Sequence, residues 1–292
     1  MKEFEYIAPE ELQEAARLLA ANAGKALMMA GGTDLLPVMR AGRKHAELVI
    51  DCKKLPELNR LHLDDAGLSI GAAVSCRDIW ENDEIAARFP ALIDCTSRIG
   101  GIQVQGRASV GGNLCNAAPS ADTIPALIAY GAVARLVSVR GNRDVAVEEI
   151  CVAPGQTSLR DDEILTVINI PNPAPNSGAK FLRFTPRNEM DIAVANAAAA
   201  VELDETGSRF QSVRVAVGAV APTPLFVKKS GDSLLGQPVN DRTIATAAGI
   251  AREAASPIDD MRGTIEHRKQ LVEVLTGRVL HAAVKLARGD TA

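Results

Sequence analysis

The sequence predicts an α/β unit followed by a separate α+β domain. Three observations carry this. Strands and helices alternate around a glycine pair within the first 52 residues; a proline-rich stretch, PNPAPNSGAK at 171–180, breaks the pattern; beyond it, long alternating strands give way to two long helices. With 292 residues, 47% of them hydrophobic, the chain can bury cores in two or three compact units.

Each element has its own signal. PEELQEAARLLAANA, 9–23, opens with proline, carries acids in its first turn and spaces its apolar residues as an amphipathic helix does. The apolar run 26–30 is a short buried strand ended by Gly31 and Gly32, with Thr33 or Asp34 placed to cap the next helical turn. ELVIDC adds a strand and closes a β-α-β-α-β unit near residue 52. Residues 59–73 alternate on both sides of Asp64, Asp65, Ala66 and Gly67, as a hairpin does, and 75–98 are helical. A glycine-rich stretch then leads into an apolar helix at 122–130. AVARLVSVRGNRDVAVEEI forms a second hairpin, turning at Gly141 and Asn142, and DEILTVINIP an edge or closing strand. After the linker, DIAVANAAAAVEL and SVRVAVGAVAP are strands and 241–254 and 261–287 are helices, with no repeat at a solenoid period.

Composition narrows the function. A net charge of −4 argues against a nucleic-acid partner, whose phosphates are bound through clustered Lys and Arg. The N-terminus lacks a signal-like apolar region and no run is long enough to span a bilayer, so a cytoplasmic location is expected. Cys52, Cys76, Cys95, Cys115 and Cys151 lie 19 to 36 residues apart, so no C-x-x-C pair starts a zinc or iron–sulfur site. Cys115 sits inside a glycine-rich segment but has no histidine near it in sequence to act as a base.

Two segments share a design. Ala30-Gly31-Gly32-Thr33-Asp34 and Ser109-Val110-Gly111-Gly112-Asn113 each pair glycines with short polar residues, a pattern suited to positive φ and to a nest of amide donors for an anion. Two such nests could grip a pyrophosphate from two sides. Asp122 follows the second and could accept hydrogen bonds from ribose or ribityl hydroxyls. Neither a P-loop nor a G-x-G-x-x-G fingerprint is present.

AGGTDLLPVMR together with GRASVGGNLCNAAPSADTIPAL closely resembles the two FAD loops of the medium, flavin-binding subunits of molybdenum hydroxylases, the family of carbon monoxide dehydrogenase and xanthine dehydrogenase. DMRGTIEHRKQLVEVLTGRVL resembles that family's C-terminal D-x-R-G-S-x-x-Y-R-x-x-L signature, with Thr264 and His267 where Ser and Tyr are usual. The resemblance implies an FAD-binding domain of the vanillyl-alcohol-oxidase (PCMH) type at 1–175, with α/β subdomains at about 1–55 and 56–175, then a C-terminal α+β domain at 176–292 resembling that of the CO dehydrogenase flavoprotein. It implies that Ala30, Gly31, Gly32, Thr33, Asp34 and Leu35, with Ser109, Val110, Gly111, Gly112 and Asn113, clasp the FAD pyrophosphate, the Thr33 and Ser109 hydroxyls assisting. It places Asp122 at the ribityl or ribose region, Leu165 beside the isoalloxazine ring, and Arg183 where some relatives carry a lysine near the flavin. An arginine there could stabilise an anionic reduced flavin; a plain sheet-surface charge is the alternative.

The same resemblance implies an oxidoreductase subunit whose substrate chemistry lies elsewhere. A large partner would hold the molybdenum cofactor, a small one two [2Fe–2S] clusters, and this chain would pass electrons through FAD to a terminal acceptor in a heterotrimer or its dimer. It carries no catalytic substrate residue and no metal site of its own in this reading. A self-sufficient flavin reductase and a flavin-free scaffold subunit are the rival readings.

Overall fold

The computed structural model describes residues 2–290. Its first layer is a parallel three-stranded sheet in the order Glu5–Ile7, Leu48–Asp51, Ala26–Met29. The central strand is buried along its whole length, because parallel strands are covered on both faces. The crossover helix Leu12–Ala21 lays Ala15, Ala16 and Leu19 on the core.

The second layer is a five-stranded antiparallel sheet ordered Leu61–Leu63, Gly67–Gly71, Ile164–Pro171, Val133–Ser138, Gly141–Ala146. DEILTVINIP is therefore the central strand, not an edge. It pairs with Gly67–Gly71 on one side and Val133–Ser138 on the other, partners remote in sequence, with a bulge between Leu165 and Val167. The second hairpin reverses at Val139 and Arg140; Gly141, with φ of +120°, already starts the returning strand. The stretch 75–98 resolves into three short helices, Cys76–Trp80, Asp83–Arg88 and Pro90–Thr96. Ser75 and Asn82 cap the first two by accepting the Asp78 and Ile85 amides, and Pro90 starts the third.

The last part is an antiparallel sheet ordered Ser177–Phe184, Ala195–Leu203, Phe210–Gly218, Leu225–Phe226. It has two more strands than the sequence pattern suggested. Helices Asp241–Ala254 and Ile265–Ala287 belong to this part; the longer one packs on the first two strands and on the other helix. In ANAAAAVEL, Ala195, Ala197, Ala199, Val201 and Leu203 face the core shared with these helices, whereas Ala198 joins the core of the preceding layers. Both faces are buried, so apart from Asn196 the run is apolar from Ala195 to Val201 instead of alternating. The helix Thr123–Ala129, buried at all seven positions, packs against this sheet and ties the two parts together.

Among the described residues no helix is long and apolar enough to cross a membrane, and no group of three or more His, Cys, Asp or Glu side chains could hold a metal ion.

Candidate functional site

The strand Ala26–Met29 ends at Ala30, and the chain turns through Gly31, Gly32, Thr33 and Asp34 into the helix Leu35–Arg40. Gly32 has φ of +72°, the left-handed conformation a glycine adopts without steric cost. Gly31 answers a different need: a Cβ there would overlap the Arg107 carbonyl, because this turn is pressed against the backbone that leads into the second segment. The five amides of Gly31 to Leu35 donate no hydrogen bond within the described residues. Asp34 stands at the N-cap but makes no capping bond, and Thr33 does not cap either. Asp34 is exposed, yet desolvation by surrounding protein raises its carboxyl above the usual range.

The second segment is not a turn. Ser109 caps a short helix, Val110–Asn116, by accepting the Gly112 amide on its Oγ at 3.0 Å. Neither Gly111 nor Gly112 has positive φ. Gly111 is glycine because the helix start lies on Ala72: a Cβ would stand 2.5 Å from the Ala72 carbonyl oxygen and 2.6 Å from its Cα. Val110 and Ser109 are buried, while Gly112 and Asn113 are half-buried. The Asn113 side chain is oriented by Thr123, whose hydroxyl donates to Oδ1 at 2.6 Å. The two predicted segments thus lie side by side, one presenting unpaired amides.

Cys115, on the same short helix, is exposed, but crowding by the surrounding protein pushes its thiol up to about 12; Cys151, Cys52 and Lys44 are its titratable neighbours. It stays a neutral thiol at physiological pH, which does not suit a nucleophile.

The remaining predicted residues sit deeper. Asp122 is buried and takes hydrogen bonds from Arg183 on one carboxylate oxygen and from Asn196 Nδ2 on the other, at 3.2 Å. Burial raises its carboxyl above the usual range, with Arg183 and Asn196 pulling the opposite way. The Arg183 side chain is only 5% exposed, so the surface-charge reading is overturned: it leaves the C-terminal sheet and crosses to Asp122. Leu165 is buried beside the bulge in the central strand. Sequence reasoning missed Asn196, whose one signal is being the lone polar residue in ANAAAAV. It also missed a cleft of about 380 Å³ where Trp80, Arg98, Gln105, Asn188 and Glu189 gather round Arg183.

The C-terminal signature is structural. Thr264 caps the last helix by accepting the His267 amide at 3.2 Å, as Ser would. Arg268 is buried and donates to Asp260 and to the Val194 carbonyl, both at 2.7 Å. His267 is exposed, its ring edge-on to Phe184.

Comparison with known proteins shows the family. Residues 2–173 match the family described as the FAD binding domain in molybdopterin dehydrogenase, and residues 180–283 the CO dehydrogenase flavoprotein C-terminal domain. The xanthine dehydrogenase FAD-binding subunit of Escherichia coli O157:H7 is 32% identical over 280 residues, covering 95% of each chain. The carbon monoxide dehydrogenase medium chain of Hydrogenophaga pseudoflava is 29% identical over 280 residues, 96% of each. Among solved structures, carbon monoxide dehydrogenase from Hydrogenophaga pseudoflava lacking the Mo-pyranopterin moiety of its molybdenum cofactor superposes with a TM-score of 0.92 at 28% identity over 97% of each chain. Quinoline 2-oxidoreductase from Pseudomonas putida 86 gives 0.89 at 29% identity, over 98% of this chain and 99% of that one. This chain belongs to the FAD-binding medium subunits of the molybdenum hydroxylases, the flavoprotein component of an oxidoreductase.

Proposed function

We propose that the chain receives electrons from [2Fe–2S] clusters on a small partner subunit and passes them through FAD to a terminal acceptor, while a large partner carries the molybdenum cofactor and the substrate chemistry. The observation that carries the site is the run of unpaired amides from Gly31 to Leu35, set against the segment Ser109 to Asn113. Amides at a loop and helix start that no protein group satisfies are met by water or by a ligand, and a diphosphate is an acceptor of the right charge and number of oxygens for such a nest. No cation is needed, which suits a net-acidic chain.

In this reading the residues at 1–175 form the FAD-binding domain, with subdomains meeting near residue 55, and 176–292 the domain that closes it. Ala30 to Leu35 and Ser109 to Asn113 hold the diphosphate. Asp122 faces the sugar or ribityl hydroxyls, and Leu165 gives the ring an apolar neighbour. Arg183 brings positive charge to the ring region, part of it spent on Asp122. FAD, when bound, supplies the redox chemistry; the protein orients it and keeps bulk water from it. The names of the relatives, "medium chain" and "FAD-binding subunit", support assembly with other subunits.

The test is the absorption spectrum of the purified chain, followed by release and identification of its chromophore. One releasable FAD per chain, reduced by the substrate of the complex once both the molybdenum-bearing and the cluster-bearing partners are added, supports the reading. A colourless chain that takes up no added FAD refutes it.

A further inference from the structure

We propose that Lys53 is a positioning residue for the cofactor loop, acting through the Ala30–Gly31 peptide; this rests on the FAD reading above. Lys53 Nζ donates to the Ala30 carbonyl at 3.3 Å and to Asp51 Oδ2. Asp51 ends the strand Leu48–Asp51 beside Met29, where the glycine loop leaves the sheet. Its carboxylate is buried and fully engaged. Oδ1 accepts the Lys53 amide at 2.9 Å, and Oδ2 accepts the Tyr6 hydroxyl as well as the ammonium. Burial alone would raise the Asp51 carboxyl, but the Lys53 and Tyr6 hydrogen bonds hold it below the usual range, so it stands as a fixed anion for the lysine.

The geometry has one consequence for the loop. In a trans peptide the C=O and N–H point in opposite directions, and the described residues contain no cis bond. With the Ala30 carbonyl turned toward the ammonium, the Gly31 N–H is turned away from it, into the set of amides that have no partner. A charged donor on the carbonyl also polarises that peptide and strengthens its N–H as a donor. On its Cα side Gly31 rests on the Arg107 carbonyl. The loop is thereby fixed from two sides and open on the third.

The experiment titrates the full-length chain, freed of flavin, with FAD and with ADP, which shares the diphosphate. Wild type, K53M, K53R and D51N are compared, with the melting temperature of each flavin-free form recorded. K53M is expected to weaken FAD and ADP by the same factor, about tenfold, the scale of one hydrogen bond to a charged group. K53R restores most of it, D51N reproduces the loss, and the flavin-free melting temperature of K53M stays close to wild type. FAD affinity unchanged in K53M overturns the proposal, and so does a loss matched only by a general fall in stability. A wild-type chain that binds neither FAD nor ADP overturns the flavin reading itself, and this proposal with it.

Discussion

Gly111 and Gly112 are neighbours in one short helix, yet alanine should act on them in opposite directions. At Gly111 the new Cβ would stand 2.5 to 2.6 Å from Ala72 atoms, backbone included, where carbon contacts settle at about 3.5–4.0 Å. Helix and strand end must part by about 1 Å to recover contact distance. Overpacking of that kind costs about 1–3 kcal/mol, offset by the helix preference of Ala over Gly of about 1 kcal/mol. At Gly112 the nearest atom is Ser109 Oγ at 3.0 Å, the buried capping hydroxyl, which need give only a few tenths of an ångström and can keep its bond to the Gly112 amide while doing so, so the helix preference dominates. We expect the melting temperature of G111A to fall by about 2–6 °C and that of G112A to hold or rise. Thermal unfolding of the flavin-free chain, with FAD titration on each variant, reads both effects. G111A should also lose FAD affinity if the displaced helix carries the second cofactor segment, as proposed. A G111A variant as stable as wild type, or a G112A variant that is the less stable of the two, would refute the close-approach argument.

Gly32→Val places a β-branched side chain at φ of +72°, with its Cβ 3.2 Å from Leu36 Cδ1 and 3.3 Å from Met29 Sδ; flavin content after purification should fall sharply while much of the fold persists by circular dichroism. Arg183→Met leaves the buried Asp122 carboxylate without its cation, a loss of about 3–5 kcal/mol, and the D122N/R183M double variant should recover part of it in chemical denaturation. The R183M deficit should grow as pH rises, because losing Arg183 raises the Asp122 carboxyl further and the uncompensated charge forms at higher pH. For Glu163 the sign is reversed: its side-chain hydrogen bond with Arg143 holds the carboxyl below its ordinary 4.5. Its stabilisation is therefore complete above that value and lost as pH falls through the depressed folded one. E163Q should show a shallower acid limb in stability measured against pH.

The sequence revealed the first unit because local chemistry specifies it: buried strands, a glycine exit, a helix with its apolar face in register. It misread the second glycine pair for a physical reason. A glycine required by positive φ, such as Gly32, and one required by close approach, such as Gly111, look alike until the neighbour is known, and Ala72 lies on a distant part of the chain. The same blindness left DEILTVINIP as an edge or closing strand, since its partner Gly67–Gly71 is remote. Asp122 was legible as a polar residue in a glycine-rich segment, but its partners Arg183 and Asn196 come from another sheet. The alternation expected of half-buried strands also failed at ANAAAAVEL, which is covered on both faces.

That last failure bears on the cofactor. Asp122 immediately precedes the helix Thr123–Ala129, whose residues are all buried, in part against the strands that carry Arg183 and Asn196. Residues 1–175 alone would uncover this apolar helix and leave Asp122 without both of its hydrogen-bond donors. The carboxylate would then relax into solvent or protonate, and in either state it would no longer be held where a cofactor hydroxyl could use it. In the proposed site the C-terminal part would therefore form the rear wall, joined to Asp122 through the buried ion pair with Arg183. Such pairs contribute little net stability but are costly to break by halves. Here that asymmetry selects one docking of the two parts, because any slip of the C-terminal sheet strands a charge.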